Sequence, residues 1–175
     1  VYEKKGNIAY VRINRPEVSN ALHSYAYLEL RQCWRDIGLD PNIYCAILTG
    51  TGRSMCAGRD IKFLSEHQKM GKRTPHEDPN SPIYFWGGGG MPSDVSWIGD
   101  QHTNVGRLGA PQDIYASMPR AAAAYMTLCN GRLLPDDCLR YGLVNKVVPQ
   151  NELMNEANKL ANMICQSSPL AVQAA

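Results

Sequence analysis

No C-x-x-C pair occurs among the six cysteines, at positions 33, 45, 56, 129, 138 and 165, and no histidine stands at metal-ligand spacing from them. A zinc framework is therefore excluded and no metal is expected. No apolar run approaches the length of a membrane span. Charge is sparse as well. Charged residues make up 19% of the chain, the net charge is +2 and the basic side chains are scattered, which argues against nucleic acid or a membrane surface as partner. No charged-then-apolar leader stands at Val1. Gly50-Thr51-Gly52-Arg53-Ser54-Met55 lacks the third glycine of a dinucleotide fingerprint and the Lys-Ser or Lys-Thr pair of a phosphate loop. The cysteines lie in apolar surroundings and read as reduced core residues, pointing to a cytoplasmic or organelle-matrix compartment, with disulfides the open alternative for an even number of them.

What is present is enough for one globular domain: 175 residues, 44% of them hydrophobic. Tyr44 to Thr49 is a short apolar run between Pro41-Asn42 and Gly50, and reads as a buried strand. After the glycine turn, Asp60 can cap a helix that Ile61, Phe63 and Leu64 would pin to a sheet. Ala57 and Gly58 are small enough for a ligand to approach the main chain, where the free N–H groups of the first helical turn and the positive end of the helix dipole would meet it. Such a junction can hold developing negative charge.

Four motifs stand in order along the chain: Asn14-Arg15-Pro16, Asn20-Ala21-Leu22, Cys56-Ala57-Gly58-Arg59-Asp60-Ile61, and Gly142-Leu143-Val144-Asn145-Lys146-Val147-Val148-Pro149. Together they resemble the crotonase superfamily, the enoyl-CoA hydratases and isomerases. The resemblance implies an α/β fold, the crotonase-like ββα spiral with a helical C-terminal part, here cut short at Ala175. It implies an acyl-CoA thioester as substrate, no permanently bound cofactor, and assembly as homotrimers or homohexamers. The Arg59 main-chain N–H would be half of an oxyanion hole. Val18, Ser19 and Ala21 match the segment that wraps coenzyme A, and Ala57, Gly58, Asp60, Ile61 and Val105 complete the implied substrate-binding set.

By the same comparison a strand, a glycine-rich loop and a helix belong between Trp97-Ile98 and Gly99-Asp100-Gln101-His102, yet Ile98 joins Gly99 directly. A few tens of residues are thus expected to be missing from a single domain, with the second oxyanion donor and one catalytic carboxylate. Omission from a longer protein is the preferred reading, since losing a central strand leaves its neighbours' backbone unpaired. His102 falls where hydratases carry their other carboxylate. A histidine exchanges protons near neutral pH, so His102 is a candidate acid/base; a polar loop histidine with no catalytic task is the equal alternative.

For the remaining chain, Lys5-Gly6-Asn7 predicts a turn between two opening strands. Leu22, Ala26, Leu30, Cys33 and Ile37 share one face of a helix over Ser24 to Gly38. Glu66 to Trp97 is rich in polar residues, proline and glycine and reads as a long loop or lid, in which Tyr84, Phe85, Trp86 and Trp97 could line an acyl pocket or simply pack. Asp113 is expected to cap a short helix after Pro111. Helices are predicted over Arg120–Asn130 and Leu133–Gly142, a strand over Val144–Val148, a helix with a stripe of Leu153, Met154, Ala157, Leu160, Ala161 and Ile164, and a last helix opening at Ser167-Ser168-Pro169. The functional reading is an enoyl-CoA hydratase/isomerase-type enzyme. Its rivals are a catalytically idle acyl-CoA-binding homologue, suggested by His102 in place of a carboxylate, and a nucleotide-binding α/β protein.

Overall fold

The computed structural model describes residues 1–70, 94–105 and 111–174. The chain divides into two compact units, Val1–Phe85 with Asn158–Ala175, and Trp86–Ala157.

The first unit is built on a three-stranded sheet. Gly6, at φ +58°, turns the chain between β1 (Tyr2–Lys5) and β2 (Ile8–Ile13), which pair antiparallel with Lys5 opposite Ile8. α1 (Ser24–Leu39) then carries the chain across to β3 (Cys45–Gly50), which lies parallel to β2 with Ile13 opposite Gly50. A parallel pair needs such a crossover, and the sheet order β1-β2-β3 puts β2 in the centre. Ile8, Ala9, Val11 and Ile13 of β2 are buried while Arg12 is exposed. β3 was expected to be buried, yet every residue in it is half-buried, because it pairs with β2 on one side alone among the described residues. The predicted face of α1 is present as a half-buried stripe. Gly38 does not stop this helix, which runs one residue further and is closed by Asp40, whose N–H donates to the Asp36 carbonyl.

Long-range polar contacts tie the elements together. Lys4 reaches both Asp36 and Asp40 at the end of α1, and Tyr2 donates its hydroxyl to Asp36. Burial first, and then that bond to an anion, push the Tyr2 phenol up to about 12. The Tyr10 hydroxyl on β2 donates to Asn158 Oδ1 at 2.7 Å. α2 (Ile61–Lys69) turns Leu64 inward, but Ile61 is 61% exposed and does not pin the helix as expected. Phe63 instead packs among rings, 4.0 Å from His67 and 5.3 Å from His23 between centroids. His23 also caps α1, its Nδ1 accepting the Ala26 N–H.

In the second unit β4 (Ile98–Gly99) pairs antiparallel with β5 (Arg132–Leu133), so Ile98 and Gly99 are consecutive residues of one short strand. α3 (Pro111–Ser117) holds Asp113 inside its first turn rather than at its cap. α4 (Arg120–Leu128) buries Ala122, Ala123, Met126 and Thr127, and α5 (Pro135–Arg140) buries Cys138. Ala123, Met126 and Cys138 form the unit's core with Ile114, Leu133 and Val144. The strand predicted over Val144–Val148 is not continuous, the segment making only single β-bridges at Val144 and Val148. Its buried residues, Val144 and Val148, are four apart, and Lys146 between them points out to Glu156, so the period of two that a strand needs is missing. The unit boundary falls within α6 (Leu153–Cys165), of whose predicted stripe Met154 and Ile164 remain 37% exposed. α7 (Pro169–Ala174) ends the described chain. Of the predicted loop or lid, Glu66 to Lys69 is instead the last turn of α2, and residues 71–93, with Tyr84, Phe85 and Trp86, lie outside the described residues. Trp97 is 47% exposed, with the Arg132 guanidinium 4.2 Å from its ring centroid.

Candidate active site

Two loops of the first unit are laced together around Arg59. Asn20 is fully buried at φ +59°, a conformation asparagine tolerates better than most residues. Its Oδ1 accepts the Arg15 N–H at 2.8 Å, and its Nδ2 donates to the carbonyls of Thr51 and Ser54. Arg15 sends its guanidinium to the Ala21 carbonyl and, at 3.1 Å, to Asp60 Oδ2. The Ala57 N–H donates to the Ser19 carbonyl at 3.0 Å. Gly50 makes room for this lacing, since a Cβ there would lie 2.4 Å from the Ser54 carbonyl oxygen and 2.7 Å from Asn20 Nδ2.

Leu22 and Arg59 form an isolated parallel bridge. The Leu22 N–H donates to the Gly58 carbonyl at 2.7 Å and the Leu22 carbonyl accepts the Asp60 N–H at 3.0 Å, a pattern in which residue 59 turns its own N–H away from Leu22. Neighbouring amides are occupied: Ala57 by Ser19, Gly58 by Cys56 Sγ at 3.3 Å, Asp60 by Leu22, and Phe63 by Asp60 Oδ1. The Arg59 N–H has no acceptor among the described residues. Gly58, at φ +87°, provides the left-handed step that swings this amide out; the position is open, so conformation rather than space demands glycine.

The electrostatics suit an anion. The amide lies at the N-terminus of α2, where the helix dipole is positive. Burial alone would raise the Asp60 carboxyl, but the Phe63 N–H and the Arg15 guanidinium outweigh it and hold the group below the usual carboxylate value. Burial pushes the Cys56 thiol up, against the bond from Gly58, and its sulfur accepts the Gly58 N–H. Tyr27 is likewise raised by burial, partly countered by Arg59.

The structure thus gathers Val18, Ser19, Ala21, Ala57, Gly58, Arg59, Asp60 and Ile61 in one unit, with Val18, Ala57, Gly58 and Ile61 exposed. His102 and Val105 belong to the other, in the 3-10 turn His102–Val105. There Asp100 Oδ1 accepts the His102 N–H at 3.0 Å and also meets His102 Nδ1. Sequence reasoning passed over Arg15, Asn20 and Asp100 as functional side chains. Arg15 and Asn20 stood in the quoted motifs, a polar pair in a turn-forming segment, and Asp100 was noted only as a nearby carboxylate. Among the described residues no group of three or more His, Cys, Asp or Glu could hold a metal ion, and no helix is long and apolar enough to cross a membrane.

The profile of the enoyl-CoA hydratase/isomerase family matches residues 3–81 and 98–175. The chain belongs to that family. This enoyl-CoA hydratase/isomerase family member is 30% identical to the (E)-benzylidenesuccinyl-CoA hydratase of Thauera aromatica, over 98% of the chain and 78% of that protein. It is also 30% identical to the short-chain-enoyl-CoA hydratase of Clostridium acetobutylicum, over 99% and 77%. Its fold matches the crystal structure of carnitinyl-CoA hydratase from Mycobacterium avium with a TM-score of 0.87 at 25% identity, covering 99% of the chain and 77% of that structure. The expected crotonase-type α/β fold is therefore the fold of this family member. The aligned stretch with the Thauera protein runs to 203 positions against a chain of 175, so that relative carries residues inside the match that have no counterpart here.

Proposed function

We propose that the Arg59 N–H is one donor of an oxyanion hole for the thioester oxygen of an acyl-CoA, with His102 as the acid/base. The protein is an acyl-CoA-processing enzyme of the enoyl-CoA hydratase/isomerase type; relatives named as hydratases and dehydratases support addition or removal of water as its reaction. The observation behind the Arg59 assignment is the single amide of the 57–60 segment with no internal acceptor among the described residues, set at a helix N-terminus. As electron density moves onto the thioester oxygen, a preorganised N–H aimed at it gains strength in the transition state and costs no reorganisation. Val18, Ser19 and Ala21 are proposed to line the coenzyme A path, and Ala57, Gly58, Asp60, Ile61 and Val105 to belong to the substrate-binding set. The second donor and a further carboxylate are proposed to come from a segment that belongs between Ile98 and Gly99. No permanent cofactor is proposed. Assembly as a trimer or a pair of trimers is proposed by family analogy. A reducing compartment, cytosol or organelle matrix, is supported by six free thiols. The relatives named as hydratases and dehydratases lend no specific support to an idle, binding-only homologue, the reading that His102 in place of a carboxylate suggested.

The experiment is turnover of crotonyl-CoA measured beside binding of coenzyme A. Arg59→Ala keeps the amide and is expected to retain activity within about tenfold, whereas Arg59→Pro removes the N–H and is expected to lower kcat by about 10²–10³ while coenzyme A still binds. Equal effects of the two substitutions would reject the main-chain donor. Binding without turnover of any acyl-CoA would reject the enzyme.

A further inference from the structure

We propose that Asp100 is a positioning residue that holds His102 in its Nδ1–H tautomer and leaves Nε2 as the atom that exchanges the proton. This rests on the acid/base reading of His102 given above. Asp100 Oδ1 takes the His102 N–H at 3.0 Å and faces His102 Nδ1 at 2.5 Å. The Asp100 side chain is 9% exposed and that of His102 53%. An ionised carboxylate can only accept, so the nitrogen facing it must carry the ring hydrogen, and a neutral imidazole has one such hydrogen. The lone pair is then on Nε2, and among the described residues no group binds it.

The surrounding turn is fixed by bonds that do not involve the ring. Gln101 Nε2 donates to the Asn130 carbonyl at 3.1 Å, and Thr103 Oγ1 donates to Asn130 Oδ1 at 2.7 Å. Asn104 Nδ2 in turn donates to Gln101 Oε1 at 2.9 Å. With the residues on both sides of His102 anchored at the end of α4, the backbone carrying the imidazole is set, and Asp100 removes the remaining freedom of the ring. In hydration the proton path closes on itself. Nε2 takes a proton from water as the water oxygen bonds to the β-carbon and the alkene pair moves toward the thioester oxygen. The imidazolium formed faces the Asp100 carboxylate. It then returns the proton to the α-carbon, leaving water added and the ring as it began.

The test uses the full chain with crotonyl-CoA as substrate and long-range ¹H–¹⁵N spectra of the histidine rings in mildly alkaline buffer. The wild type is expected to show His102 protonated at Nδ1. Asp100→Asn keeps an oxygen for the His102 N–H but offers the ring either an oxygen or an amide hydrogen. It is expected to mix the tautomers and to lower kcat about tenfold or more, with KM within about twofold. Adding Asp100→Asn to His102→Gln should cost nothing further. A wild-type ring protonated at Nε2 overturns the proposal whatever the variants do, as does an unchanged kcat in Asp100→Asn or an equal loss in the His102→Gln background. Failure of the hydratase reading shows up differently, as absence of acyl-CoA turnover in the wild type, while the tautomer spectrum still decides the orientation of the ring.

Discussion

Asn20 is the residue on which the site loops depend. Three hydrogen bonds from one buried amide join Arg15, Thr51 and Ser54, so truncation leaves two carbonyls and an N–H without their partner and puts alanine at a positive φ. Asn20→Ala is expected to destabilise the protein by about 2–4 kcal/mol in urea denaturation. Two glycines of the same loops should respond for different reasons. Gly50→Ala forces a methyl against Ser54 and Met55 backbone oxygens, and is expected to cost about 1–3 kcal/mol and to displace the loop. At Gly58 the methyl meets open space, so the cost of Gly58→Ala is that of a left-handed alanine, about 1–2 kcal/mol, with crystal structures of the two variants separating the cases. Little of this could be read from Asn20 as a letter, because beyond its local bond with Arg15 its other two partners, Thr51 and Ser54, lie far along the chain and asparagine in a turn ordinarily bonds to its own neighbourhood. Gly58, by contrast, was legible: small residues before a helix cap already indicated a close approach to backbone.

Among the elements, α2 joins stability and chemistry. Asp60 caps it through Phe63 N–H and receives Arg15, so a folded-state carboxyl held below its ordinary value adds stability above the unfolded value of about 3.9, and that stability fades as pH falls through the lower folded value. Asp60→Asn retains an N-cap oxygen and discards the charge. The stability gap between wild type and this variant is therefore expected to be constant above about pH 5 and to shrink below about pH 4, as followed by thermal unfolding across that range. The helix and its cap were readable because an N-cap and an apolar stripe are local, within four residues. The burial of Ile61 was misjudged for the complementary reason. An apolar side chain in the first turn says nothing about which way the neighbouring sheet lies, and here the inward position fell to Leu64. The same limit applies to Val144–Val148, where β-branched residues suggested a continuous strand and the chain makes single β-bridges at Val144 and Val148.

At the scale of the whole chain the two units have their own cores. Met126 is 3% exposed within the cluster of Ile114, Leu133, Cys138 and Val144, and Met126→Ala is expected to cost about 2–5 kcal/mol, read as a lower denaturation midpoint of the full chain. The first unit instead draws on contacts far apart in sequence, such as Tyr10 with Asn158 and Asn7 with Asn42. By itself the sequence determined the family, the opening hairpin, the helices with their stripes, and the glycine-bounded junction before Asp60, because each rests on spacing, turn chemistry or motif order within a short window. Tertiary structure alone decided that Arg59 keeps an amide without an internal acceptor among the described residues, that Asn20 and Arg15 hold it in place, and that Asp100 turns the His102 ring. Those outcomes depend on which donors the fold has already paired with which acceptors, and hydrogen-bond pairing between distant loops has no signature in local sequence.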